Sequence, residues 1–93
     1  MIKMNLYELK SEKLKVLAHP HRLCIAKGLL EKKCNVTAMQ ECLDIPQSTV
    51  SQHISRLRTA GIICGKRNGT EIEYSVVDED AINVINVLFC LKK

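Results

Sequence analysis

Apolar residues recur at helical spacing over most of this chain and switch to alternation once, just after residue 61. The most informative stretch is residues 35–61, NVTAMQECLDIPQSTVSQHISRLRTAG. Val36, Met39 and Leu43 share one side of a short helix over 36–43. Asn35 is placed to cap it, because its side-chain oxygen can accept from the orphan amides of the first turn. Asp44-Ile45-Pro46 closes the helix, since proline disfavours α geometry in the residue before it. Ile45 is expected as a buried plug between two helices. The second helix begins at Gln47 or Ser48 and runs to Gly61, which suits a left-handed C-terminal cap. Val50, Ile54 and Leu57, at i, i+4 and i+7, form its buried stripe.

Beyond Gly61 the period changes. Ile62-Ile63-Cys64 and Ile72-Glu73-Tyr74-Ser75-Val76 are β-prone runs on either side of Asn68-Gly69, a strong hairpin signal. Lys66 and Arg67 fall near its tip. Toward the N-terminus, residues 5–18 read as a helix with Leu6, Leu9, Leu14, Val16 and Leu17 apolar. Pro20 fits the first position of the next helix, where a missing amide costs nothing, and His19 stands at the cap. That helix runs to Lys33 with Leu23, Ala26, Leu29 and Leu30 inward, and Gly28 is read as a place for close packing. The last helix covers 80–91; Asp78, Glu79 and Asp80 sit favourably at its positive end. Ala81, Ile82, Val84, Ile85, Val87, Leu88, Phe89 and Leu91 then cover almost every side of it. A terminal helix this apolar needs a partner surface, most simply a second copy of the chain. The fold expected is mainly α with a β-hairpin wing, a winged helix-turn-helix spanning 1–93 as one domain and dimeric through its first and last helices.

Composition narrows the function. Hydrophobic residues make up 46% of the 93 and aromatics 3%, a Leu/Ile/Val core without a platform for stacking single-stranded bases. No apolar run approaches a membrane span and there is no signal-peptide pattern, so no membrane partner and a cytoplasmic location are expected. The net charge of +4 suits a nucleic-acid partner, and its distribution says more. Residues 45–70 hold four Lys/Arg and no acid, whereas residues 71–93 hold five acids and two Lys.

Outside its apolar stripe, the second helix of the central stretch offers Gln47, Ser48, Thr49, Ser51, Gln52, His53, Ser55, Arg56 and Arg58. Short hydrogen-bonding side chains with Arg are the groups that read base edges and hold phosphates. An ordinary amphipathic helix would mix Lys with Glu or Asp on this face. Gln47, Ser48, Thr49, Ser51, Gln52, His53 and Ser55 are therefore the candidates for the major groove, with Arg56, Lys66 and Arg67 for phosphates. Packing is the alternative for His53. An interaction module using the wing against protein is the competing class; it predicts an apolar or acidic face. Nothing resembles an activated nucleophile with its base and orienter, and no enzyme or cofactor is expected.

The run LAHPHRL, then VTAMQECLDIPQSTVSQHISRLRTAGII, the basic wing and IEYSV together resemble the ArsR/SmtB-type transcriptional repressors over about residues 12–91. The resemblance implies a homodimeric repressor of double-stranded operator DNA, an inverted repeat, that leaves its operator when an inducer binds. The arsenite-type cysteine positions fall on Asn35, Thr37 and Gln40, and the zinc-type Asp/His pattern of the last helix finds Asp80 but no His. Persulfide-sensing members pair a cysteine of the second helix with one near the end of the last, after an aromatic. Phe89-Cys90 matches the latter; the former falls on Lys27, with Cys24 one turn earlier. The resemblance thus implies sensing of a reactive sulfur species or an oxidant at Cys24 and Cys90, with a thiophilic metal as the alternative inducer.

From the residues alone, five cysteines without secretory context fit a reducing compartment. Cys34, Cys42, Cys64 and Cys24 lie off the apolar stripes, and Cys90 sits among core-like neighbours. His19 and His21 flank Pro20 and either join Cys24 in a soft-metal site or mark an uncoordinated helix start.

Overall fold

The computed structural model describes residues 4–32 and 35–90. Its elements are α1 (Met4–Leu17), α2 (Pro20–Glu31), α3 (Val36–Leu43), α4 (Gln47–Thr59), β1 (Ile63–Asn68), β2 (Glu71–Val76) and α5 (Glu79–Phe89). Cys34 and Leu91 lie outside the described residues.

Local chemistry sets the boundaries. His19 is extended and its Nδ1 accepts from the His21 amide at 3.1 Å, so an imidazole caps α2 ahead of Pro20. The α2 helix ends at Glu31, short of the expected Lys33, because Lys32 is already extended at φ −161°. Asn35 Oδ1 accepts from the Ala38 amide at 2.9 Å and starts α3 as its sequence demands. Asp44 adopts the left-handed region at φ 57° and turns the chain toward α4. At the far end of α4, Gly61 takes φ 78°; its amide bonds Arg58 O and the Ile62 amide bonds Leu57 O. This is a Schellman termination, with Leu57 and Ile62 both fully buried where the motif brings them together. The Ile62 carbonyl then accepts from Val77 at 2.9 Å and Asp78 at 3.3 Å, so the chain leaves for the wing and returns from it at one residue.

The wing is an antiparallel pair with register Ile63↔Val76 through Asn68↔Glu71. Gly69 and Thr70 are therefore its loop, one residue beyond the Asn-Gly centre expected, with Gly69 at φ 69°. Gly65 faces Tyr74 across the pair, and a Cβ there would lie 2.9 Å from the tyrosine ring and 2.7 Å from Ile72. Only glycine lets the Tyr74 ring lie over β1 and reach the core.

The core gathers Val16 and Leu17 of α1, Ile25, Ala26 and Leu29 of α2, Met39 of α3, Val50, Ile54 and Leu57 of α4, Ile62, Ile63, Tyr74, and Ala81 and Ile85 of α5. Leu23, Leu30 and Ile45 are half-buried; Ile25 takes the inward position instead. Gly28 serves no close packing, since nothing lies within 4 Å of where its Cβ would stand. Asp78 caps α5 through the Ala81 amide at 2.9 Å. Lys13 of α1 bridges Asp78 at 2.8 Å and Asp80 at 3.0 Å, and Lys10 also reaches Asp80. Lys10 and Lys13 hold the Asp80 carboxyl below its ordinary value, and Asp78 and then Asp80 raise Lys13.

Candidate nucleic-acid interface

Helix α4 divides cleanly into two faces. Val50, His53, Ile54 and Leu57 point into the core, while Gln47, Ser48, Ser51, Gln52, Ser55, Arg56 and Arg58 are exposed and Thr49 is half-exposed. Lys66 and Arg67 are exposed on β1, beyond the C-terminal end of α4 in the chain. Lys66 stands opposite Glu73 and Arg67 opposite Ile72 in the ladder. Asn35 joins the wing to the start of α3, donating from Nδ2 to Glu71 Oε1 at 2.7 Å. The helix and the hairpin thus form a framework that presents amides, hydroxyls and guanidinium groups outward.

His53 corrects the expected groove set. It is 8% exposed and faces the α1–α2 corner instead of the groove. Its ring centroid lies 4.6 Å from His19 and 5.6 Å from His21, and its Nδ1 is 3.4 Å from Arg22 Nη1. Arg22 in turn donates from Nε to Val16 O at 2.6 Å, closing the end of α1. The signal was in the spacing: residue 53 stands at i+3 from Val50, inside the stripe that Val50, Ile54 and Leu57 define.

One ligand-type nitrogen from each of His19, His21 and His53 lies within 4.8 Å of the others, so these imidazoles meet each other and not Cys24. Their hydrogen bonding favours packing over coordination. The Nδ1 of His19 is occupied by the His21 amide, the Nδ1 of His53 faces a guanidinium, and that guanidinium would repel a cation. Burial pushes His53 below the ordinary imidazole range, helped by His19, Arg22, His21 and Arg56; burial and then Arg22 and His21 do the same to His19. The neutral forms of His19 and His53 are therefore favoured on the inner side of α4.

Cys24, Cys42, Cys64 and Cys90 are free and exposed. Cys90 is thus not a core residue: it ends α5 in the left-handed region at φ 55°, one step past the last inward turn. Lys27 Nζ lies 5.4 Å from the centroid of the Phe89 ring, bringing the C-terminal half of α2 next to the end of α5. No helix among the described residues is long and apolar enough to cross a membrane.

A helix-turn-helix followed directly by a hairpin, with a polar, acid-free outer face, defines a winged helix DNA-binding protein. The helix-turn-helix domain family matches residues 17–63. The transcriptional repressor PagR of Bacillus anthracis is 40% identical over 79 residues, 84% of this chain and 79% of that protein. The HTH-type transcriptional repressor SmtB of Mycobacterium tuberculosis is 35% identical over 74 residues, 80% of this chain and 55% of that protein. The crystal structure of PagR superposes with a TM-score of 0.83 at 38% identity, covering 92% of this chain and 99% of that one. Reduced HlyU from Vibrio cholerae shares the fold, with a TM-score of 0.85 at 24% identity over 94% of this chain and 95% of that one. The chain belongs to the ArsR/SmtB family of winged helix-turn-helix transcriptional repressors, which are DNA-binding regulators and not enzymes.

Proposed function

We propose that the chain acts as a homodimeric repressor that reads an inverted-repeat operator through α4 and leaves it when Cys24 and Cys90 react with a sulfur species or an oxidant. The observation that carries the reading is the exposed face of α4, which is polar, basic and without a carboxylate. Gln47, Ser48, Thr49, Ser51, Gln52 and Ser55 approach base edges, and Arg56, Lys66 and Arg67 hold phosphates. Dimerisation is supported by apolar side chains left in solvent on α1 (Met4, Leu6, Tyr7, Leu9, Leu14) and α5 (Val87, Leu88, Phe89). Two-fold symmetry then sets half-sites about 34–36 Å apart, or a multiple of that.

For sensing, the exposure of both thiols and the Lys27–Phe89 contact between α2 and α5 favour Cys24 with Cys90. The chemistry balances with a persulfide as oxidant. One thiolate takes the outer sulfur and releases the donor thiolate; the second thiolate then attacks the inner sulfur of the new persulfide, forming the disulfide and releasing hydrosulfide. Formation requires the two Cα atoms to approach within about 7 Å.

Fluorescence anisotropy with DNA from upstream of the gene itself tests both halves. Gln52→Ala should flatten the preference among operator variants by about 1–3 kcal/mol. Lys66→Ala should weaken every sequence alike and lower the salt slope by about one. An unchanged preference in Gln52→Ala would show that this face does not read bases. Persulfide donor should release wild-type protein but neither Cys24→Ser nor Cys90→Ser; release of both variants as efficiently as wild type rejects the thiol pair while leaving the DNA reading intact.

A further inference from the structure

The groove between α2 and α3 is built by small residues facing each other. On α2, Cys24 and Gly28 lie one turn apart, with Lys32 just past the end of the helix; on α3, Ala38 and Cys42 lie one turn apart. Between them lies a cavity of about 320 Å³. Ile25 and Met39 are buried against it, Leu43 is half-buried, and among the described residues no carboxylate lines it. Gly28 keeps its middle open, since the space its Cβ would enter holds no atom within 4 Å. Two free, exposed thiols therefore open onto one apolar cavity, and among the described residues its one cation is Lys32.

We infer that this cavity binds a small planar apolar electrophile of the α,β-unsaturated carbonyl type, quinones included, which Cys24 or Cys42 captures. The volume suits a compound of one or two fused rings. Ile25, Met39 and Leu43 supply the apolar contact, and Lys32, which also lines the cavity, offers an ammonium that would favour negative charge growing on the carbonyl oxygen. A cysteine thiolate adds to the β-carbon, forming a C–S bond while the C=C π pair moves to the enolate oxygen. The proton lost from the thiol is balanced by one taken up from water by the enolate, so no external oxidant or reductant is required. A polar electrophile gains nothing from the walls. Binding and capture at this cavity require no Cys24–Cys90 bond.

Cys64, exposed on the wing and away from the cavity, provides an internal reference thiol. Competitive labelling of the reduced chain by 1,4-naphthoquinone and by acrylamide, read by peptide mass spectrometry, tests the inference. Naphthoquinone should modify Cys24 or Cys42 about tenfold faster than Cys64, the selectivity that modest apolar burial confers. Acrylamide should show no such preference. Gly28→Leu, a good helix former whose side chain enters the cavity, should abolish the naphthoquinone preference and leave acrylamide rates and helical circular dichroism unchanged. Equal naphthoquinone rates at Cys24, Cys42 and Cys64, or a preference that survives Gly28→Leu in a folded chain, overturns the inference.

Discussion

Helices α4 and α5 both carry apolar stripes but dispose of them differently. In α4 the stripe of Val50, Ile54 and Leu57 is entirely consumed by the core, and what remains outside is polar. In α5 only Ala81 and Ile85 are buried, while Val87, Leu88 and Phe89 stay in solvent at 77%, 58% and 39% exposure. One helix is completed by its own chain and offers hydrogen-bonding groups to a different kind of molecule. The other is left incomplete and offers apolar area. The contrast separates two recognition problems: base edges need positioned donors and acceptors on a fixed support, whereas subunit association needs area removed from water.

The strongest way to break the contrast is to attack the stripe of α4. Leu57→Ala should lower stability by about 2–5 kcal/mol, because it removes a fully buried side chain at the Schellman end of the helix. Urea unfolding would measure it; a loss under about 1 kcal/mol would mean the core collapses freely around the site. A smaller change of opposite sign is expected at Gly28→Ala. The Cβ meets nothing within 4 Å, so the helix should gain up to about 1 kcal/mol.

Acidity perturbs the reading half more gently. His19 and His53 both titrate below the ordinary imidazole value of 6.5, so the unfolded chain binds protons more readily than the folded one. Their contribution to stability is complete above 6.5 and is lost as pH falls through the depressed folded values. The melting temperature should decline as pH is lowered from about 7.5 to 5, and His53→Gln should flatten that decline even where it lowers the temperature overall. The Asp80 bridges respond elsewhere: their contribution disappears only below 3.8, as pH falls through the depressed carboxyl value. A profile equally steep in wild type and His53→Gln would remove His53 from the account.

Smallest in stability is Leu88→Glu. In separated chains an exposed substitution should change unfolding by no more than about 0.5 kcal/mol. If α5 is an interface, the same change should nevertheless dissociate it, because a carboxylate would be desolvated there. Sedimentation of wild type and variant over a concentration series reads this directly. Identical association in both would sink the interface and leave the reading half untouched.

Much of the reading half was legible because its determinants are local. Asn35 caps within three residues, Pro46 breaks the chain beside itself, and Gly61 satisfies a left-handed end. Residues whose role depends on distant partners were harder to place. His53 looked outward because its neighbours in sequence are polar; its inward position follows from His19 and Arg22, more than thirty residues away. Cys90 looked inward because its neighbours are apolar, yet the helix ends at Phe89 and turns its cysteine out. Gly65 carried no sequence signal, since its need arises only when Tyr74 lies across it. The cavity between α2 and α3 was equally hidden, because Gly28 resembles a packing glycine until the opposite wall is known.

Ile62 has a consequence for how such a protein can diversify. Its amide closes α4 and its carbonyl receives both Val77 and Asp78, so the whole excursion through residues 63–76 departs from and returns to a single anchor. The hairpin can therefore be lengthened without relaying α5 or displacing α4. Adding residues in pairs to each strand preserves which side chains face inward, and each added pair per strand extends the reach by about 6.6–6.8 Å. The wing is an adjustable outrigger: its length can drift over generations while the keel that carries it stays fixed.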